Sequence, residues 1–147
     1  MKVLAVSWGS EDPTSTLQTA ATISEKMDAE LHVAHIWTLL LPSAPEFIES
    51  THCERQEENA RRIVEAAVET VEAAGRTIAE THIRLGFPES EIIRLIGEIG
   101  AGMVIVGKRR GSLIKRLLAG CEVERIARYA PCPVVLVGPE SPLVSPA

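Results

Sequence analysis

The sequence is poor in aromatic residues and in long apolar runs, and each shortage argues against a class of protein. Aromatic residues make up 3% of the 147 residues, which disfavours the aromatic stacking platforms that bind single-stranded nucleic acid. No apolar run approaches the roughly 18 residues that a membrane-spanning helix needs. The amino-terminal stretch MKVLAVSWGS is too short for a secretory signal peptide. We therefore expect a cytoplasmic protein with no membrane partner.

Cysteine is also scarce, which argues against a disulfide framework. The three cysteines, Cys53, Cys121 and Cys132, are odd in number and show no metal-ligand spacing. This usage predicts reduced thiols. His52, Cys53 and Glu54 are adjacent in the sequence, but no second cluster completes a metal site. We therefore expect no metal.

Positive charge is scarce overall and concentrated in one segment. The net charge of −5 disfavours general binding to nucleic acid. Five cationic residues nevertheless lie within the segment 108–116, which we call the basic loop: Lys108, Arg109, Arg110, Lys115 and Arg116. They contribute +5, so the rest of the chain sums to −10. The basic loop is therefore the place where a small anionic ligand is expected.

Apolar runs and helical stripes alternate along the chain and predict an α/β protein. Five runs predict strands over residues 2–6, 29–37, 77–86, 103–107 and 131–138. Four segments predict helices: one with Asp12 as N-cap and Pro13 at its first position, one over about 49–74, one starting near Pro88, and one over about 121–129. This alternation implies right-handed crossovers and a parallel sheet with helices on both faces. We expect a single domain over residues 1–138, followed by a proline-rich tail over 139–147.

The glycines on either side of the basic loop suggest an anion pocket. Ligands of parallel sheets bind beyond the carboxyl ends of the strands, here the loops after Val6, Ile36 and Val106. Gly107 ends the fourth strand and Gly120 precedes the last helix. Glycine lets the backbone approach a ligand closely, and a helix N-terminus attracts anions. The alternative is a solvated basic loop between plain turn and cap glycines, and the residues leave both interpretations open.

The second half of the chain contains the stretch GAGMVIVGKRRGSLIKRLLAGCEVERIARYAPCPVVLVG. This stretch resembles the carboxyl-terminal signature of the universal stress protein family. KVLAVSWGSE and AELHVAHI are similar to the family's first strand with its loop and to its second strand. The resemblance implies a five-stranded parallel sheet in a Rossmann-like fold, of the adenine nucleotide alpha hydrolase-like type. It also implies a stress-response role and two functional classes, one that binds ATP and one that does not.

The ATP-binding members of this family carry a glycine, two residues, a second glycine, nine residues, and then glycine followed by serine or threonine. The resemblance places the first and third glycines at Gly107 and Gly120 of this chain. Arg110 occupies the middle glycine position and Cys121 the hydroxyl position. The family's aspartate after the first strand is replaced by the dipeptide Ser7-Trp8. The resemblance therefore implies a degenerate phosphate loop.

Each departure removes something that an ATP site uses. Arg110 adds bulk where the backbone must approach phosphate, although its guanidinium can pair with phosphate oxygens. Cys121 is a weaker hydrogen-bond donor than serine, and Ser7 has no carboxylate. We expect a module that binds ATP or another adenine nucleotide. The candidate contacts are Ser7, Trp8, Ile36, Gly107, Lys108, Arg109, Arg110, Gly120, Cys121 and Glu122.

The alternative is a regulatory or interaction protein of the same family that does not bind ATP and acts through its dimer and the basic loop. Catalysis has little support, because the sequence shows no Ser-His-Asp pattern, no paired carboxylates and no GxxxxGK[ST] loop. We therefore expect no enzyme. His35 is expected near the carboxyl end of its strand, as a packed and hydrogen-bonded histidine.

The last strand is a candidate dimer interface formed by Val134, Val135, Leu136 and Val137. An apolar strand left bare at a sheet edge is an aggregation hazard. Pairing with the same strand of a second copy would remove the edge, and the family resemblance implies such a homodimer. The alternative is a monomer in which the proline-rich tail shields the strand.

Overall fold

The computed structural model describes residues 1–8, 13–38, 50–107 and 122–138. Within these ranges, strands and helices alternate as the sequence predicts. The strands are β1 (Lys2–Trp8), β2 (Glu30–Trp37), β3 (Glu80–Leu85), β4 (Met103–Gly107) and β5 (Val134–Val137). The helices are α1 (Thr14–Lys26), α2 (Ser50–Ala73), α3 (Pro88–Ile99) and α4 (Glu122–Tyr129). None of these helices is long and apolar enough to cross a membrane.

The five strands form one parallel sheet with the order β3-β2-β1-β4-β5. This confirms the predicted fold class, a five-stranded parallel sheet. The helices between the strands supply the crossover connections that parallel neighbours need. β1 lies at the centre. β3 and β5 lie at the two edges, which explains why β3 carries alternating polar residues and only partial burial.

The core consists of two apolar layers, one on each face of the sheet. Alternate residues of a strand point to opposite faces, so neighbouring residues of β1 belong to different layers. Leu4 and Val6 pack with the buried residues of α3 and α4, whereas Val3 and Ala5 pack with those of α1 and α2. Burial on both faces explains why β1 and β2 read as nearly continuous apolar runs.

The helices contact the sheet through stripes with helical spacing. The buried stripe of α2 includes Ala60, Val64, Ala67 and Val71, and that of α3 includes Ile92, Leu95 and Ile96. α3 begins at Pro88, whose fixed φ suits a first turn, and ends at Gly100, which has a φ of 69° in the left-handed region. In α4, Ile126 is buried and the adjacent Ala127 is exposed.

The ends of several elements differ from the prediction. β1 continues to Trp8 because Ser7 and Trp8 pair with His35 and Ile36 of β2. β3 begins at Glu80 and β5 at Val134, each three residues later than expected. α1 begins at Thr14 with Pro13 at the N-cap position, so the expectation that Pro13 is the first helical residue was wrong by one position. Asp12 lies outside the described residues.

Candidate functional site

The sheet order places one crevice at the carboxyl ends of β1 and β4. The chain runs from β1 outward to β2 and β3, then returns to the other side of β1 with β4. Such a reversal is the switch point at which open α/β sheets bind ligands. Val6 lies opposite Val106 in the β1–β4 register. Ser7 and Gly107, the next residues of these strands, therefore lie at neighbouring positions beside the crevice.

Ser7 and His35 form a buried polar pair at this end of the sheet. The two residues are opposite each other in the register of β1 and β2. The Ser7 Oγ lies 3.2 Å from the His35 Nδ1, and the residues are 3% and 2% exposed. Strand alternation places both on the face covered by α1 and α2, the face of Ala5 and Val33. The expected role of His35 as a packed, hydrogen-bonded histidine is confirmed.

Burial also sets the protonation state of His35. Desolvation lowers the pKa of its imidazole below the ordinary value of 6.5, while a hydrogen bond with the main chain of Ser7 acts in the opposite direction. The imidazole is therefore neutral at neutral pH. At this end of β1 a neutral hydroxyl is therefore engaged with a neutral ring.

The other candidate contacts fall into three groups: one core residue, two residues at the ends of elements, and five outside the described residues. Ile36 is 1% exposed and packs in the layer of Ile92 and Val106, opposite the face of Ser7. Its side chain is part of the core, so it can offer only its main chain to a ligand. Trp8 ends β1 and Glu122 begins α4. Lys108, Arg109, Arg110, Gly120 and Cys121 lie outside the described residues.

Gly107 lies against the first turns of α1. A Cβ built on Gly107 would lie 2.7 Å from the Oγ1 of Thr16, a distance that real Cβ atoms do not tolerate. Thr16 is 5% exposed and has a short, branched side chain, so it has little room to move. The glycine is therefore required for the packing of α1 against β4, whatever else it does. Sequence reasoning missed this contact because the two residues are far apart in the chain.

The N-terminal end of α1 reaches the same crevice, since Thr16 touches Gly107 there. The first turn of α1 contains no acidic residue, and Pro13 supplies no side-chain cap. The positive end of the helix dipole is therefore not offset by a carboxylate within that turn. This feature favours an anion at the crevice and adds to the charge expected from the basic loop.

Comparison with known proteins gives one consistent family. The model of the universal stress protein family matches residues 1–138. A Staphylococcus haemolyticus protein bearing that family name is 26% identical over 133 residues, which are 90% of this chain and 81% of its own length.

Solved structures of the same family share the fold. The crystal structure of a universal stress protein in complex with cAMP has a TM-score of 0.72 at 22% identity, over 92% of this chain and 95% of that one. The structure of the universal stress protein from Archaeoglobus fulgidus in complex with dAMP has a TM-score of 0.60 at 20% identity, over 92% and 95% of the two chains. At these identities the likeness concerns the fold.

The contact between Gly107 and Thr16 predicts a specific pattern of stabilities. Gly107→Ala should lower the free energy of unfolding by about 1–3 kcal/mol, the usual effect of overpacking. Thr16→Ala in the same chain should recover part of that loss, because it removes the Oγ1 that the new methyl group meets. Urea denaturation of the single and double variants measures both effects. Gly97→Ala is the control: its Cβ meets nothing within 4 Å and the residue lies inside α3, so this variant should be as stable as the wild type or more stable. Equal stability of Gly107→Ala and the wild type would contradict the packing argument.

The buried imidazole of His35 predicts a pH dependence of stability. As the pH falls through 6.5, the unfolded chain takes up a proton that the folded chain, with its lowered pKa, does not. The stability contributed by neutral His35 is therefore lost as the pH falls, by at most about 1.4 kcal/mol per pH unit. His35→Asn removes the titrating group, so its deficit in the free energy of unfolding should shrink from about pH 7.5 to about pH 5.5. Denaturant titrations at several pH values measure this difference. A constant deficit would show that His35 does not titrate in this way.

Proposed function

Because the chain belongs to the universal stress protein family, we propose that it is a stress-response module that binds an adenine nucleotide in the crevice between β1 and β4. The observation that carries this proposal is the juxtaposition of Ser7 and Gly107 at the switch point of the sheet. Relatives with the same fold have been solved in complex with cAMP and with dAMP, which supports an adenine nucleotide as the class of ligand.

The electrostatics of the crevice favour an anion. The N-terminal end of α1, whose described first turn contains no acidic residue, lies at the crevice, and Gly107 leads directly into the basic loop with its five cationic residues. A phosphate would enter a region of positive potential in a chain whose net charge is −5. The proposal therefore places the phosphate near Gly107.

The same site has few groups that could hydrogen-bond to the ribose, and its loop is less suited to a triphosphate. The Ser7 hydroxyl is buried against His35, where a carboxylate would otherwise accept hydrogen bonds from ribose hydroxyls. Each lost contact to a charged group removes about 1.5–3 kcal/mol. The loop has Arg110 and Cys121 in place of the glycine and hydroxyl that the resemblance implies. A nucleotide with one phosphate needs fewer contacts from this loop than ATP does. We therefore expect weak binding, stronger for AMP or cAMP than for ATP.

We propose no catalytic step. Ser7 and His35 have the types of side chain found in a nucleophile–base pair, but both are at most 3% exposed. A substrate atom could not reach the Ser7 Oγ without opening the sheet end. The function we propose is therefore binding and the response to binding.

A second candidate is a regulatory protein that acts through a homodimer and the basic loop without ATP. The observation that favours it is the position of β5 at the edge of the sheet. Leu136 is 48% exposed there, and Val134 and Val135 are only partly buried, whereas Val137 is buried. Pairing of β5 with the same strand of a second copy would cover these side chains and satisfy the edge.

Calorimetry with AMP, cAMP and ATP tests the nucleotide proposal. We expect measurable heats for AMP and cAMP and weaker binding of ATP. The double variant Arg110→Gly with Cys121→Ser should bind ATP more tightly than the wild type, because it restores the family's glycine and hydroxyl. Arg61→Gln on exposed α2 is the matched control, since it removes one positive charge elsewhere. No heat and no thermal shift with any of the three nucleotides at millimolar concentration would refute the proposal.

Molar mass in solution tests the β5 dimer. The chain has a mass of 15.9 kDa, so light scattering should give about twice that value if β5 pairs. Leu136→Lys should raise the monomer fraction, because it places a charge on the edge that would be covered. Phe87→Lys is the control: Phe87 is 70% exposed and follows β3 at the opposite edge. A wild-type monomer at high concentration would exclude the interface.

A further inference from the structure

The sequence Glu-x-His begins two neighbouring strands of the sheet. Glu30 and His32 stand at the start of β2, and Glu80 and His82 at the start of β3. Residues two apart in a strand point to the same face, and His32 lies opposite Glu80 in the register. All four side chains therefore belong to the face covered by α3. They gather at the amino ends of the strands, whereas the crevice lies at the carboxyl ends.

Three of these side chains are close enough to share one ion. His32, Glu80 and His82 each offer a ligand atom within 4.8 Å of the others. The His32 Nδ1 lies 3.2 Å from the His82 Nε2, and the His82 Nε2 lies 4.0 Å from the Glu80 Oε2. The two imidazole rings are nearly parallel, at 12°. Two nitrogens and a carboxylate oxygen at this spacing are a common ligand set for metals.

The burial of His32 concerns the ring nitrogen that faces away from His82. The residue is 4% exposed, and its Nε2 has no hydrogen-bond partner among the described residues. The Glu30 Oε2 lies 3.6 Å from this atom, too far for a normal hydrogen bond. An unsatisfied polar atom in such a position carries a desolvation penalty, which a short movement of the Glu30 carboxylate toward Nε2 would relieve.

We propose that His32, His82 and Glu80 form a binding site for a divalent transition-metal ion of the Zn²⁺ type. Zn²⁺ takes imidazole and carboxylate ligands at about 2.0–2.2 Å in a tetrahedral arrangement, which separates ligand atoms by about 3.4 Å. The separation of the two nitrogens already approximates that value. The Glu80 side chain is 64% exposed and is free to close on the ion, and water can fill the fourth position from the exposed side.

The neighbouring charged residues indicate which carboxylate would bind the ion. Lys2 lies opposite Glu30 in the β1–β2 register, and Arg84 is ion-paired with Glu98 of α3. Glu80 is therefore the carboxylate that a cation would engage. With the His32 Nδ1 on the metal, its Nε2 carries the proton and faces Glu30. A carboxylate behind a ligating imidazole orients the ring and raises its basicity.

In the absence of an ion, one imidazole can donate a hydrogen bond to the other. Metal binding moves that proton to the other nitrogen of the same ring, and the two rings turn so that both lone pairs converge on the ion. Because protons compete with the metal for these nitrogens at low pH, binding weakens as the pH falls. The hydrogen-bonded pair without metal affinity is the competing account, and the experiment separates the two.

Zn²⁺ titrated into untagged, chelator-treated protein tests the proposal, with competition against a chromogenic chelator as the readout. We expect one ion per chain, and Co²⁺ should give the visible spectrum of a tetrahedral site. Glu80→Gln and His82→Gln should each weaken binding at least tenfold. Glu30→Gln should weaken it by about 10–100-fold, as losses behind a ligating histidine do.

His52→Gln is the matched control, because His52 belongs to α2, which covers the other face of the sheet. It should leave Zn²⁺ affinity unchanged. Glu80 is exposed, so its variant should fold normally, and circular dichroism checks this. Zn²⁺ affinity that is equal in the wild type and Glu80→Gln, or that is lost in His52→Gln, would overturn the proposal.

Discussion

The burial of β1 on both faces is the constraint on which the rest of the structure depends. Its residues from Val3 to Val6 are at most 1% exposed, because α1 and α2 cover one side and α3 and α4 the other. A strand in this position has no room for unpaired polar side chains, since burying them is costly. Polar side chains that could bind a ligand are therefore confined to the two ends of the sheet, where the strands stop and these groups can reach partners or solvent.

The two histidines of β2 illustrate this confinement. His32 and His35 are three residues apart and so point to opposite faces of the sheet. Each is nearly fully buried and has its polar partner on a neighbouring strand: Ser7 of β1 for His35, and His82 of β3 for His32. His35 stands near the carboxyl end of β2 and His32 near its amino end. One strand thus contributes to both polar ends without interrupting the apolar centre.

The fold was predictable from local patterns, whereas most of the site was not. Buried runs and helical stripes predict elements because each element buries its own apolar residues, and the polar alternation of β3 agrees with its position at a sheet edge. The contact of Gly107 with Thr16 depends on how α1 packs against β4, and that of His32 with His82 depends on strand register; local patterns determine neither. The placement of Ile36 was within reach of sequence reasoning, since alternation along β2 puts Ile36 and His35 on opposite faces. Spacing in the sequence could not bring His32 and His82 together, because these two residues become neighbours only when β2 pairs with β3.

The direction of the helices explains why the two ends favour ligands of opposite sign. In a parallel sheet with helical crossovers, helices run antiparallel to the strands, so their N-termini gather at the carboxyl edge and their C-termini at the amino edge. The positive ends of the helix dipoles then favour an anion beside Gly107, where the basic loop begins. The negative ends favour a cation at the amino edge. Neither α2 nor α3 carries a basic residue in its last turn, so no cationic side chain within those turns offsets their C-terminal dipoles. The arrangement that makes an adenine nucleotide reasonable at one end of this sheet therefore also makes a metal ion reasonable at the other.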